Sequence, residues 1–137
     1  MSRSRALPAG TLVLDSEGLS KGARRSPDVG EWLAVARARE MKVLTSAATV
    51  VEATNPRINR PALKWLLSLI HVEDVSEPVA DRASVLLKEA GLHGHAHAID
   101  AMLCATALAA ERPVTILTSD PDDIAALCGK EATVIKV

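Results

Sequence analysis

A chain of 137 residues with 48% hydrophobic residues suffices for a continuous core, and one compact domain is the default. The longest apolar stretches, such as 101–110, fall far short of the roughly 18 residues of a membrane span, and no apolar run of about 7–15 residues follows Arg3 and Arg5 before Asp15, so no secretory signal is read and a soluble, cytoplasmic protein is expected. A net charge of −1 excludes a generally basic nucleic-acid coat, but residues 1–64 hold 11 Lys and Arg against 6 Asp and Glu while residues 65–137 hold 5 against 11. A basic half beside an acidic pocket could guide a phosphate backbone inward.

Residues 1–10 are expected to form a loose tail before a single domain at 11–137. Residues 11–14 make a short apolar β-rich run that ends at Asp15, and 42–45, 71–75, 115–118 and 133–137 repeat the pattern, giving five strands. Between them lie helical patterns. Ser26-Pro27 offers a cap with Pro at the first helical position, followed by Val29, Trp32, Leu33 and Ala36. Pro61 opens a second segment with Leu63, Trp65, Leu66 and Leu67. Pro78 opens a third, whose stripe of Val79, Ala83, Leu86, Leu87 and Ala90 stops at Gly91. A fourth is expected at 96–111 and a short fifth at 121–127, with Gly129 after it. Strands alternating with helices predict a three-layer α/β/α domain around a mostly parallel sheet, with ligands at the carboxyl ends of strands.

The core must be built from Ala, Leu, Val and Ile, since Phe and Tyr are absent and the only aromatics are Trp32 and Trp65. Their scarcity removes stacking platforms, so RNA recognition would rest on phosphate charge and backbone shape. The Trp- and Leu-containing segments 29–36 and 61–70 could serve as core or as a partner surface. Cys104 and Cys128 form no CxxC pair, and each sits inside a helical segment, as buried free thiols in a reducing compartment do.

Four carboxylates emerge from apolar surroundings. Asp15 follows Leu12-Val13-Leu14, Glu52 follows Ala47-Ala48-Thr49-Val50-Val51, Asp120 comes two residues after a strand, and Asp100 is the only charged residue from 98 to 110. Taken singly, each could be a helix cap or a surface charge. Together they would be disfavoured unless paired, protonated or bound to metal. Converging carboxylates suit Mg²⁺ or Mn²⁺, which prefer oxygen ligands and can activate water against a phosphodiester.

The stretches His97-Ala98-Ile99-Asp100-Ala101-Met102, Ala105-Thr106-Ala107-Leu108 and Leu117-Thr118-Ser119-Asp120-Pro121-Asp122-Asp123-Ile124 resemble the PIN-domain ribonucleases, and among them the VapC-type toxins of toxin–antitoxin pairs. Val13-Leu14-Asp15-Ser16 is similar to the first motif of that family and Val50-Val51-Glu52 to the second. The resemblance implies a metal-dependent endoribonuclease whose Asp15, Glu52, Asp100 and Asp120 bind Mg²⁺ or Mn²⁺. It places Thr118, and with it Ser16, in supporting positions. Asp123 is a candidate fifth acid acting through water, or a stabiliser of the following helix; Asp122 is left on the surface. Asn55 and Arg57, one helical turn past Glu52, are candidate phosphate contacts. The resemblance further implies an RNA substrate, a homodimer and a cognate antitoxin. Glu17 departs from the small or apolar residues usual there.

Three alternatives stand beside it. A PIN fold kept only for binding would share the architecture. His93, His95 and His97 form an HxHxH run that could mark a His-rich metal hydrolase. A receiver-like signalling domain would also have five strands and an acidic pocket.

Overall fold

The computed structural model describes residues 9–137; of the tail expected at 1–10, residues 1–8 lie outside the described residues. The chain runs β1 (Thr11–Leu14), α1 (Ser16–Ala23), α2 (Pro27–Ala38), β2 (Lys42–Ser46), α3 (Ala47–Ala53), α4 (Arg60–Ser68), β3 (His71–Glu73), α5 (Glu77–Ala90), α6 (Gly94–Leu108), β4 (Val114–Thr118), α7 (Pro121–Cys128) and β5 (Thr133–Lys136). The strands form one sheet in the order β3-β2-β1-β4-β5, with every neighbouring pair parallel. The expected fold class is therefore found, parallel throughout.

The central strand β1 is buried along its whole length, and its side chains divide by the two-residue period of a strand. Leu12 and Leu14 pack with Leu19, Val29, Leu63 and Leu66 of α1, α2 and α4. Val13 joins Leu44 and Ile116 against Leu86, Leu103, Ile124 and Leu127 of α5, α6 and α7. Cys104 and Cys128 are free, buried thiols in this second layer.

Two helices escape the sequence pattern. α1 contains two Gly and two Ser, all weak helix formers. It forms because the Asp15 carboxylate caps it and because Gly18, Leu19, Gly22 and Ala23 are buried against the sheet layer. α3 follows β2 without a loop; its Thr49, Val50 and Val51 are β-branched and look like strand, yet the Ser46 hydroxyl accepts from the Ala48 N–H and starts a helix. The expected caps differ in detail. Ser26 stands before Pro27 without a side-chain cap bond, while Asn59 and Ser76 cap α4 and α5. The third strand ends at Glu73, two residues early, and α6 begins at Gly94 and ends at Leu108.

The strand order rules out the receiver-like alternative, in which β1 lies beside β3 in the order 2-1-3-4-5. Here the chain winds from β1 through β2 to β3, then crosses to the other side of β1 to form β4 and β5. The switch falls between β1 and β4. Their carboxyl ends, Leu14 and Thr118, therefore open a crevice where ligands can bind.

At the opposite end β1 is anchored by a close approach. Gly10 has φ +89, its N–H donates to the Glu111 carboxylate at 3.2 Å, and a Cβ there would lie 2.5 Å from the Pro113 carbonyl oxygen. Gly10→Ala should accordingly destabilise the chain by about 2–4 kcal/mol in urea unfolding. An unchanged midpoint would contradict this account of the β1–β4 entry.

Candidate active site

Asp15 follows the last residue of β1 and is 5% exposed. Its Oδ1 accepts the Gly18 N–H at 2.7 Å and its Oδ2 accepts the Ser119 N–H at 3.1 Å, so one carboxylate both caps α1 and ties β1 to the loop after β4. Burial raises its pKa above the ordinary value, and hydrogen bonds from Thr118, Gly18 and Ser119 oppose that rise. Thr118, fully buried at the end of β4, touches both acids of the switch. Its hydroxyl is hydrogen-bonded to Asp15 and accepts the Asp120 N–H at 2.9 Å.

Asp120 is exposed and occupies the N-cap position of α7 without a side-chain cap bond. A hydrogen bond shared with the Asp123 carboxyl, followed by desolvation, pushes its pKa up. Asp122 points outward and is exposed. Ser16 opens α1 directly after Asp15. Glu17 turns to Arg24, 3.6 Å away, at the surface.

Asp100 is the hub. It lies in the second turn of α6, part-buried, and its pKa is pushed up to about 6 by desolvation and then by the charges of Glu52, Asp15, Asp120 and Asp123. The other three expected acids, Asp15, Glu52 and Asp120, are thus near enough to Asp100 for their charges to act on it, as is Asp123. Glu52 reaches the group from the exposed side of α3. Among the described residues no Lys or Arg forms an ion pair with any of the five.

Asn55 and Arg57 are placed differently from expectation. α3 ends at Ala53, so neither lies on its next turn. Asn55 donates to the Ala53 carbonyl at 3.2 Å and accepts the Arg57 N–H at 2.9 Å, which closes an exposed turn. Nor do the three histidines converge. His93 and His95 are exposed, and only His97 meets the acids, with Nδ1 3.4 Å from Asp123 Oδ2. This disfavours the His-rich hydrolase alternative, which needs at least two imidazoles on one ion.

Solved structures with the same architecture exist. The chain is similar to VapBC2 from Rickettsia felis bound to a DNA fragment from its promoter, with a TM-score of 0.70 at 15% sequence identity over 93% of this chain and 98% of that one. It is also similar to FitAB bound to the IR36 DNA fragment, with a TM-score of 0.55 at 21% identity over 91% and 94%. The fold is PIN-like. No protein-family model and no curated protein matches the sequence.

His97, visible in the sequence as the end of the HxHxH run three residues before Asp100, does share a helix face with that acid. One residue of this region was passed over in the sequence. Thr49, one turn before Glu52, is 1% exposed, and its hydroxyl has no hydrogen-bond partner; nothing in the sequence marks it. The donor set suits a divalent cation: carboxylate oxygens without a Lys or Arg partner among the described residues, three of them with raised pKa values, and a group of His97, Asp100 and Asp123 whose ligand atoms all lie within 4.8 Å of one another. A groove of about 520 Å³ between α3 and α4 is lined by Val50, Thr54, Leu63 and Leu67. Val50 and Thr54 lie on the opposite side of α3 from Glu52, so this groove is separate from the acids.

The raised pKa of Asp100 has a measurable sign. Between about pH 4 and pH 6 the folded chain holds a proton there that the unfolded chain has released, so stability from this group declines as pH rises through that window. Asp100→Asn should raise the stability of the metal-free chain at pH 7 by ~1–2 kcal/mol, after discounting for solvent screening. Urea unfolding in EDTA tests this, and the gain should shrink toward pH 4. An Asn variant less stable than the parent at pH 7 would show that Asp100 is not under electrostatic strain.

Proposed function

We propose that this chain is a Mg²⁺- or Mn²⁺-dependent endoribonuclease, the toxin member of a toxin–antitoxin pair. The observation that carries the reading is the gathering of Asp15, Glu52, Asp120 and Asp123 around Asp100 at the sheet switch, with no Lys or Arg ion pair to neutralise them among the described residues. The similarity of motif order to VapC-type toxins and the fold shared with VapBC2 and FitAB support it.

Asp15, Glu52, Asp100 and Asp120 are the groups that would hold the ion, with Asp123 beside them. A divalent cation bound there supplies charge to stabilise the phosphodiester transition state and makes water a better nucleophile near neutral pH. The chain's own residues do the positioning. Asp15 is fixed by two backbone N–H groups and the Thr118 hydroxyl, so its remaining lone pairs keep one direction. Thr118 sets the backbone of Asp120 against the same point. Glu52 and Asp120 are exposed, which leaves an open side for a chain-like substrate. With two Trp and no Phe or Tyr in the chain, recognition would use phosphate and shape more than base stacking.

The cognate antitoxin and the homodimer belong to the same proposal. The apolar groove between α3 and α4, with Arg60 and Lys64 on its wall, would suit a segment of a partner carrying apolar and acidic residues. Trp65 nearby is exposed and stacked under the Arg25 guanidinium, 4.4 Å from the ring centroid.

The test is cleavage of a mixed RNA pool by purified protein with Mg²⁺, Mn²⁺ or EDTA, beside Asp100→Asn and a single-stranded DNA control. Metal-dependent cutting of RNA, lowered by about 10²-fold or more in the variant, is expected. Protons compete with the ion for Asp100, whose pKa of about 6 is that of the metal-free site, so the metal concentration needed for half-maximal cutting should rise as pH drops through about 6. No cutting in any metal would move the weight to a PIN-like fold kept only for binding.

A further inference from the structure

Deepening the metal-site reading on which it rests, we propose that His97 is itself a metal ligand, and that His97, Asp100 and Asp123 form a mixed nitrogen–oxygen subsite that takes a first-row transition ion such as Mn²⁺ in preference to Mg²⁺. His97 and Asp100 are three residues apart on α6 and share a face, while Asp123 comes from the first turn of α7. One ligand atom from each lies within 4.8 Å of the others. Donor atoms on a common ion at about 2.1 Å stand roughly 3–4.2 Å apart, so small side-chain rotations close the set.

The His97–Asp123 contact does not explain this arrangement as a structural ion pair. Its 3.4 Å separation exceeds that of a good charge-assisted hydrogen bond. Both side chains are part-buried, and Asp123 already shares a hydrogen bond with Asp120. Asp100 belongs to both halves of the site, since it feels the charges of Glu52, Asp15 and Asp120 and also has a ligand atom within 4.8 Å of those of His97 and Asp123. The half built only from carboxylates suits hard ions, Mg²⁺ included. An imidazole nitrogen adds little for Mg²⁺ but strengthens binding along the transition series, so the mixed half should discriminate. His93 and His95 are exposed and outside the group, which leaves one imidazole rather than the several of a dedicated zinc site.

Mn²⁺ binding to the full chain, followed by the loss of the free-ion electron paramagnetic resonance signal, tests this without reference to cleavage. Mg²⁺ serves as competitor and is also titrated by calorimetry. The parent should keep a Mn²⁺ ion in the presence of about a hundredfold excess of Mg²⁺. His97→Gln should lose about tenfold or more in Mn²⁺ affinity while Mg²⁺ affinity changes less than about twofold. That retained Mg²⁺ binding also shows the pocket to be intact. If His97→Gln binds Mn²⁺ as the parent does, or loses both ions equally, the subsite is wrong. Should Asp100→Asn still lose both ions in that case, the carboxylate metal site stands without His97. A parent that binds neither ion overturns the subsite and the metal-site reading together.

Discussion

Repulsion among like charges that have no Lys or Arg partner among the described residues is the constraint around which this molecule is arranged. Five carboxylates meet at one end of the sheet, and bringing them there opposes folding through both desolvation and mutual Coulomb energy. The backbone offsets part of this. Two N–H groups and a hydroxyl surround Asp15, and the N-terminal ends of α1 and α7 direct their positive dipole ends at Asp15, Asp120 and Asp123. Asp100 receives no comparable help, and its pKa is pushed up to about 6.

The cluster can be held only because the scaffold beneath it is rigid and dry. β1 is flanked by β2 and β4 and covered on both faces, so the point from which Asp15 emerges cannot shift without disturbing both layers. α6 leads into the amino end of β4 and packs back along the sheet, which puts its own N-terminus at the carboxyl edge. This is why Asp100, early in α6, reaches the crevice although the helix beyond it is core. Ala101, Ala105 and Ala107 keep α6 slim enough to lie close to the sheet in a chain without Phe or Tyr to fill gaps.

The sequence made the layers and most of the acids legible for the same reason. Burial imposes periods of two and 3.6 on apolar residues, and a carboxylate that interrupts such a pattern stands out, as Asp100 does between Ala98 and Ala110. α1 was not legible because its stability lies in tertiary packing of Gly18 and Gly22 and in an Asp15 cap that had already been assigned another role. α3 was hidden because β-branched residues directly after a strand carry no stop signal. Asn55 and Arg57 were misplaced for a different reason: the helix stops at Ala53, and local side-chain hydrogen bonds draw both residues into a turn. The strand order, which separates this fold from the receiver arrangement, depends on crossovers that no local pattern records.

Asp15 and Asp100 both have raised pKa values, yet only Asp15 is also a joint of the fold. The Asp15 side chain accepts hydrogen bonds that begin α1 and join β1 to the β4 loop, so its oxygens are themselves part of the structure. Removing it would lose a cap and leave buried N–H groups without acceptors, a structural loss that obscures any chemical one. Asp100 closes no comparable joint; its charge is tolerated rather than used by the folded chain, and its neighbours Glu52, Asp120 and Asp123 all make ionisation harder. A residue kept against the interest of stability is where function is most cleanly separated from folding. By that argument Asp100, more than Asp15, is the position at which the chemistry of the site should be interrogated.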